Sequence, residues 1–129
     1  MKDSPDDQRR ESLQFLLASA YYGQGESARA YRTLLALKDD PQATYYSDAT
    51  ILKAQIFLDT QSHSDGLKVL QPLLAAGTQP QYAQVAYLLA AQCYKGLGDD
   101  ASAKTAINTG YQLDPQSDTG RQFAKMQSE

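Results

Sequence analysis

The sequence predicts an all-α protein built as a stack of antiparallel helical hairpins, and three observations lead to this prediction. Residues 84–115 read as two helices around a glycine-containing turn at 96–99. The pattern of small, aromatic and aliphatic residues in this stretch recurs twice upstream. Small side chains at a helix contact let the two backbones approach closely, which is what a thin, stacked hairpin requires.

The composition fits one domain over residues 1–129. Its 42% hydrophobic and 21% charged residues and its mean hydropathy of -0.53 are typical of soluble proteins. The net charge is -3 with both signs scattered, so the basic stripe of a nucleic-acid binder is absent. The longest apolar run, 85–91, is far shorter than the roughly 20 residues of a membrane span. We therefore expect neither nucleic-acid binding nor direct membrane insertion.

The cellular compartment stays open at this stage. Cys93 is the only cysteine, so no internal disulfide can form, and proteins of either redox environment can lack one. The first residues, MKDSPDDQRRE, lack the apolar core of a signal peptide. Two alternatives follow: a cytoplasmic protein, or a mature or excised periplasmic piece that carries an added methionine.

The first hairpin is expected over about residues 5–40. Ser4 as cap and Pro5 in the first turn predict a helix over about 5–22. The glycines of 23–25 should break it. The next helix is expected over 26–37, because apolar residues recur there at helical spacing, namely Ala30, Leu34 and Leu37.

The second hairpin is expected over about 41–77. Two acids and a proline at 39–41 predict a cap and a first turn, followed by a helix over 42–58. A polar turn leads to a helix over 65–75, which Gly77 should end. Pro72 lies inside this helix and is expected to kink it or loosen a turn.

The third hairpin is expected over about 78–115, with Pro80 near its start. The tail, 116–128, is predicted to form a helix that caps the apolar face of this hairpin through Phe123 and Met126. Gly120 weakens the first turn of that helix.

The three hairpins share a register of equivalent positions. Ser47 follows Glu11 by 36 residues, and Gln84 follows Ser47 by 37. At equivalent positions, all three hairpins have a small residue in the first helix and another in the second helix. They also share an aromatic residue near the end of the first helix and an aliphatic residue in the second. The sets are Ala18, Ala54 and Ala91; Ala30, Gly66 and Ala103; Tyr21, Phe57 and Tyr94; Leu34, Leu70 and Ile107.

These residues resemble the tetratricopeptide repeat (TPR), which has a nominal period of 34 residues and ends in proline. The resemblance covers about 11–115 and is best in the third unit, at Tyr87, Ala91, Tyr94, Gly98, Ala103, Ile107 and Pro115. The tryptophan of the family is absent, Gly110 replaces a small packing alanine, and Gln61 stands where the turn glycine is expected. Spacings above 34 resemble those of some bacterial periplasmic and lipoprotein relatives. The resemblance implies a right-handed superhelix, a TPR-like α-solenoid.

The resemblance also implies that the first helix of each unit lines a concave groove for an extended or helical peptide. The positions that face such a groove are Ser12, Phe15, Ser19 and Tyr22; Asp48, Ile51, Gln55 and Leu58; Val85, Leu88, Gln92 and Lys95. Apolar side chains on this surface could hold apolar side chains of a peptide, while the amides meet its backbone. The alternative is that Phe15, Ile51 and Leu88 pack against neighbouring helices and bind no ligand.

Two details refine this groove. TPR domains that hold the acidic C-termini of heat-shock chaperones clamp a carboxylate with lysine and asparagine, whereas the matching positions here are Phe15, Ser19, Ile51, Gln55, Leu88 and Gln92. The sequence therefore does not favour that ligand class. Of the pair Tyr21 and Tyr22, which point about 100° apart on a helix, we expect the first to be buried and the second to lie in the groove.

No constellation for catalysis, cofactor binding or metal binding is found. His63 is the only histidine, so a zinc site lacks its ligands. Cys93 should be a buried structural thiol on the face that meets the second helix. The acids that look like paired carboxylates lie at helix boundaries, where capping explains them: Asp39, Asp40, Asp59, Asp65, Asp99 and Asp100.

The sequence therefore predicts a non-enzymatic scaffold or adaptor that binds a peptide or helix of another protein. Two alternatives remain open. The first is a chaperone-like or pilotin-like TPR protein of a bacterial secretion or envelope system. The second is a self-assembling scaffold, a homo-oligomer in which the apolar ends of the stack pack between copies.

Overall fold

The computed structural model describes residues 5–37, 43–75 and 77–128. This described part is all-α, which confirms the predicted class, and it contains no strand. Its seven helices are α1 (Pro5–Gly23), α2 (Ser27–Leu35), α3 (Tyr46–Asp59), α4 (His63–Leu74), α5 (Pro80–Gly96), α6 (Asp100–Leu113) and α7 (Asp118–Gln127).

The start of α3 differs from the prediction. The helix begins at Tyr46, later than expected, because the preceding residues form a turn closed by a hydrogen bond from the Tyr46 N–H to the Ala43 carbonyl, 3.2 Å. Tyr45 occupies the position before the helix, and its ring stacks on Phe15 with centroids 5.6 Å apart. This aromatic contact ties the turn to α1.

Two other expectations concern helix ends. The predicted caps at Ser4 and 39–41 lie outside the described residues. Helix α4 continues through Pro72 and ends at Leu74, where the next residue is extended with ψ of 155°. A proline this close to the C-terminus interrupts little of the helix that follows it.

The turns inside the three hairpins have the same backbone geometry. Gly25, Gln61 and Gly98 have positive φ angles of 83°, 61° and 77°. In each turn the following N–H bonds the carbonyl of the equivalent aromatic residue: Glu26 to Tyr21 at 2.9 Å, Ser62 to Phe57 at 2.7 Å, and Asp99 to Tyr94 at 2.9 Å. This is the Schellman C-cap. Gln61 therefore takes the conformation of the missing turn glycine, at the steric cost that a side chain has there.

In each set of equivalent small, aromatic and aliphatic positions, the three hairpins have the same degree of burial. The small residues of both helices and the aliphatic residues of the second helix are buried: Ala18, Ala54, Ala91, Ala30, Gly66, Ala103, Leu34, Leu70 and Ile107. Their aromatic counterparts are half-buried. Tyr21 was expected to be buried, but its ring is half-buried and lies under the guanidinium of Arg29, 5.7 Å away.

The first helices of the hairpins lie side by side. Helix α3 contacts both α1 and α5, in addition to its neighbours along the chain. Tyr22, near the end of α1, donates a hydrogen bond to Asp59 at the end of α3. Tyr82, near the start of α5, donates one to Asp48 near the start of α3, 3.4 Å. Because equivalent ends meet, α1, α3 and α5 run in the same direction.

Helix α7 packs against α5 and α6. Phe123 is fully buried, and its ring fills the space that a side chain at Gly110 would need, since a Cβ there would lie 2.2 Å from the ring. Gly110, which departs from the TPR pattern, is thus the position on α6 against which Phe123 of α7 packs.

A buried amide joins the last three helices. Gln84 of α5 donates to the carbonyls of Gly110 and Asp114, at 3.0 and 2.9 Å. Its oxygen accepts from the Ser117 hydroxyl at 2.7 Å, and the same hydroxyl caps α7 by accepting from the Gly120 N–H. Both ends of the amide are therefore satisfied, as burial requires.

Enlarging the small residues between paired helices should destabilise the fold. Ala54→Leu or Ala91→Leu forces buried backbones apart, so we expect a loss of about 1–3 kcal/mol in the free energy of unfolding, measured by urea denaturation. Ala28→Leu, at an exposed position of α2, is the control and should change little. Unchanged stability of both core variants would contradict the register.

Relieving the backbone strain at the second turn should stabilise the fold. Gln61→Gly removes the side chain from a left-handed conformation, so we expect a gain of about 1 kcal/mol in the free energy of unfolding. Gln71→Gly, in the exposed interior of α4, is the matched control and should lose about 0.5–1 kcal/mol. A loss in both variants would show that Gln61 is not strained.

Candidate functional site

The surface formed by α1, α3 and α5 carries all the predicted groove residues and is called the first-helix surface below. Ser12, Phe15, Ser19 and Tyr22 lie on α1, Asp48, Ile51, Gln55 and Leu58 on α3, and Val85, Leu88, Gln92 and Lys95 on α5. Lys95 is exposed, and the others are half-buried. The surface is thus neither closed core nor fully solvated, because each side chain keeps part of its area accessible.

Tyr22 and Gln55 meet at a third residue that was not predicted to belong to this surface. Asp59 accepts one hydrogen bond from the Tyr22 hydroxyl and one from Gln55 Nε2, the latter at 2.9 Å. Asp59 was expected to cap a helix, and this expectation was wrong, because Oδ2 bonds Tyr22 of α1 while Oδ1 bonds Gln55 of its own helix. Its spacing of four residues from Gln55 places both on one face of α3.

The environment of Tyr22 holds its hydroxyl in the protonated form. Burial, followed by the hydrogen bond to Asp59 and the negative charge of that carboxylate, raises the pKa of Tyr22 to about 12. The hydroxyl is therefore a hydrogen-bond donor throughout the physiological range. This part of the surface joins α1 to α3.

A second tyrosine–aspartate pair links α3 to α5. The Tyr82 hydroxyl lies 3.4 Å from Asp48 Oδ2. Burial raises the pKa of Asp48, and the hydrogen bond from Tyr82 counteracts part of that rise. The pKa of Tyr82 is raised by burial and by the charge and hydrogen bond of Asp48. Tyr82 was not among the residues predicted to line the groove.

The apolar members of the surface also take part in core packing. Phe15 stacks on Tyr45, and Leu88 packs against the core cluster around Phe123. Three further residues pack against the cluster between α3, α4 and α5: Ile51, Leu58 and Val85. Each of these side chains therefore uses part of its area to pack against neighbouring helices. The part that stays accessible to solvent is the part that a ligand could contact.

Cys93 and His63 both lie where the second hairpin meets the third. Cys93 is fully buried, and its Sγ lies 3.0 Å from where a Cβ on Gly66 would be, so it meets α4 of the preceding hairpin. Burial raises the pKa of this thiol, which stays protonated, as expected for a structural cysteine. The His63 ring packs on Gly96.

Three further findings concern a helix cap, metal ligands and helix hydropathy in the described residues. Asp99 caps α6 by accepting from the Ser102 N–H at 3.1 Å, and the hydrogen bond of the Ser102 side chain, followed by this backbone bond, lowers the pKa of Asp99. Within the described ranges, no group of three or more histidine, cysteine, aspartate or glutamate residues is placed to hold a metal ion. Across those same ranges, no helix combines the length and hydropathy that crossing a membrane demands.

Comparison with known proteins found no matching family model, no matching curated protein and no matching solved structure.

The ionisation of Asp48 should make stability depend on pH. Its pKa in the folded state lies above the ordinary value of 3.8, so the folded protein binds the extra proton, and the associated stability is lost as pH rises through the folded pKa. We expect the unfolding free energy of the wild type to fall relative to Asp48→Asn between pH 3 and pH 7.

Tyr82→Phe provides the matched test of this assignment. It removes the hydrogen bond that favours the carboxylate, so the pKa of Asp48, followed by carbon-detected NMR, should rise further. A constant difference between the wild type and Asp48→Asn from pH 3 to 7 would contradict the linkage.

Proposed function

We propose that the protein is a non-enzymatic, TPR-like interaction module. In this proposal the three hairpins form a short right-handed solenoid, and the first-helix surface is a groove that binds a peptide or helix segment of another protein. The observation that carries the proposal is the threefold recurrence of one turn geometry together with the parallel arrangement of α1, α3 and α5. Stacked repeats of this kind expose extended surfaces that other proteins bind.

The hydrogen bonds between first helices support a preformed surface. The bond of Tyr22 to Asp59 joins α1 to α3, and that of Tyr82 to Asp48 joins α3 to α5. A surface whose helices are already fixed loses little conformational entropy when a partner binds. The proposed groove would therefore bind its partner without rearrangement of the helices.

The residue types on the surface indicate the kind of segment that would bind. Phe15 and Leu88 offer accessible apolar area, while Ser19 and Gln92 offer hydroxyl and amide groups. Apolar side chains of a partner would contact the first pair, and its backbone amides would hydrogen-bond the second. Lys95 is the one basic residue among the predicted groove positions, so a strongly acidic segment finds no cluster of cations there.

Peptide selection followed by NMR mapping tests this proposal. A library of random 15-residue peptides is panned against the purified protein, and the selected peptides are titrated into isotope-labelled protein. We expect shift changes concentrated on α1, α3 and α5. The double variant Ser19→Arg, Gln92→Arg should weaken binding at least tenfold, because two long charged side chains would occupy the groove.

Equivalent substitutions on second helices provide the control. Ala28→Arg and Gln112→Arg add the same charge and bulk at exposed positions of α2 and α6, and they should leave affinity within about twofold. Shift changes confined to the second helices, or equal loss in both double variants, would move the site off the first-helix surface.

A further inference from the structure

Helix α1 exposes a row of apolar side chains on the side away from the first-helix surface. Leu13, Leu16 and Leu17 are 68%, 59% and 45% exposed, and Ala20 beside them is exposed as well. Their spacing places all four on one face of the helix, opposite to Phe15 and Tyr22. These four residues are called the α1 stripe.

The internal repeat shows that this face is a packing face. The equivalents of the α1 stripe are Ala49, Leu52, Lys53 and Ile56 in α3, and Ala86, Leu89, Ala90 and Cys93 in α5. In α5 all four are buried, and in α3 the first and last are buried while the middle two are half-buried. The second helix of the preceding hairpin covers them in both cases, α2 on α3 and α4 on α5. The hairpin-to-hairpin interface thus continues onto α1, where it is uncovered.

The side chains of the stripe differ in size from their covered equivalents. Leu13 stands where the later hairpins have Ala49 and Ala86, and Leu17 stands where α5 has Ala90. Alanines at a helix contact permit the close approach of a neighbouring hairpin, whereas leucines hold a neighbour further away. Leu16 is the same residue as Leu52 and Leu89, and Ala20 is smaller than Ile56, so the stripe is larger than both equivalents only at Leu13. A regular hairpin would meet a larger side chain at that point of α1 than it meets on α3 or α5.

The α1 stripe is complementary to itself in one orientation. If two α1 helices cross antiparallel about a two-fold axis between Leu16 and Leu17, then Leu13 of each lies opposite Ala20 of the other, large against small. The exposed Arg9 and Arg10 extend the same face towards the start of α1. The antiparallel arrangement brings these cations to the carbonyl end of the other helix, whose last turn has no basic residue. A parallel pair would bring the arginines together.

Among the described residues, helix α7 at the opposite end of the chain shows no equivalent apolar face. The side chains that α7 exposes are mainly polar: Asp118, Arg121, Gln122 and Lys125. Stacking of the α1 stripe onto α7 of another copy would therefore leave leucines against charges. A head-to-head pair closes on itself, as two-fold interfaces do.

We propose that the α1 stripe is a homodimer interface, in which the α1 helices of two copies pack antiparallel about a two-fold axis at Leu16 and Leu17. A stable dimer buries about 800 Å² per partner, and the three leucines supply only part of that area. We therefore expect a weak dimer whose population depends on protein concentration. It leaves the first-helix surface accessible on both copies and does not depend on the proposed function.

Sedimentation equilibrium over about 1–200 µM protein tests the dimer. The mass of the wild type should rise from 14.2 kDa towards twice that value. Leu16→Glu places a carboxylate of each copy beside the two-fold axis, so it should raise the dissociation constant of the dimer at least tenfold. Leu35→Glu is the matched control, since Leu35 is 56% exposed on α2, and it should dimerise like the wild type. Circular dichroism confirms that each variant is folded.

A wild type that stays at the monomer mass throughout would overturn the proposal, and the stripe would then be the docking face for a helix of another protein. Dimerisation of Leu16→Glu with unchanged affinity would overturn it too, because the interface would lie elsewhere. Loss of dimerisation in Leu35→Glu as well as Leu16→Glu would show that the effect is not specific to the stripe, and it would overturn the assignment of the interface to α1.

Disulfide trapping tests the orientation. Leu13→Cys and Ala20→Cys proteins are mixed and oxidised, and the only native thiol, Cys93, is buried. The antiparallel pair should give mainly the mixed disulfide, which mass spectrometry separates from both like-with-like products. Predominance of the like-with-like disulfides, or no cross-linking in a sample that sediments as a dimer, would overturn the antiparallel arrangement.

Discussion

The close approach of paired helices at small residues is the constraint on which the rest of the structure depends. Ala18 and Ala54 are fully buried between the helices of their hairpins, and Ala30 and Gly66 are buried on the helices that face them. Because the side chains at these points are no larger than a methyl group, the backbones of the two helices come close enough for direct dispersion contacts. The separation of the two helices is thereby fixed, and with it the positions where larger side chains can fit.

The aromatic residues and the turns follow from that separation. Tyr21, Phe57 and Tyr94 lie at the wide end of each hairpin, and their carbonyls accept the hydrogen bond that closes the Schellman turn. The chain must then reverse within three residues, which requires one left-handed residue. Gln61 takes this conformation although it is not glycine. The packing of the second hairpin therefore outweighs the local preference of its turn residue.

The sequence predicted the parts of the fold that repeat. Helix identity, the turn positions and the buried small residues all follow from patterns that occur three times. The start of α3 could not be predicted in this way, because the turn before it, closed by the Tyr46 N–H and the Ala43 carbonyl, and the stacking of Tyr45 on Phe15 each occur only in this hairpin among the described residues. Of the candidate site, the sequence predicted the helices that carry it and the placement of Tyr22 and Gln55 on them.

Asp59, Tyr82 and Gln84 were missed because their roles arise from tertiary contacts that no helical period encodes. Tyr22 and Asp59 are 37 residues apart, and Asp48 and Tyr82 are 34 apart, each close to one repeat period. Polar pairs at that separation are brought together when first helices run in parallel. Gln84 gave no such signal, because its three hydrogen bonds reach a helix end and a cap that exist only once in the chain.

The hydrogen bonds across the first-helix surface also limit how a partner can bind to it. A ligand that used the Tyr22 hydroxyl or the Asp59 carboxylate would first have to break the bond between them. A hydrogen bond to a charged group contributes about 1.5–3 kcal/mol, so the ligand would lose about tenfold to a hundredfold in affinity. A ligand that contacts the apolar area around Phe15 and Leu88 breaks no hydrogen bond of the protein, because it displaces only water there. Affinity at this surface would therefore come from apolar contacts, while the tyrosine–aspartate pairs keep the helices in position to make them.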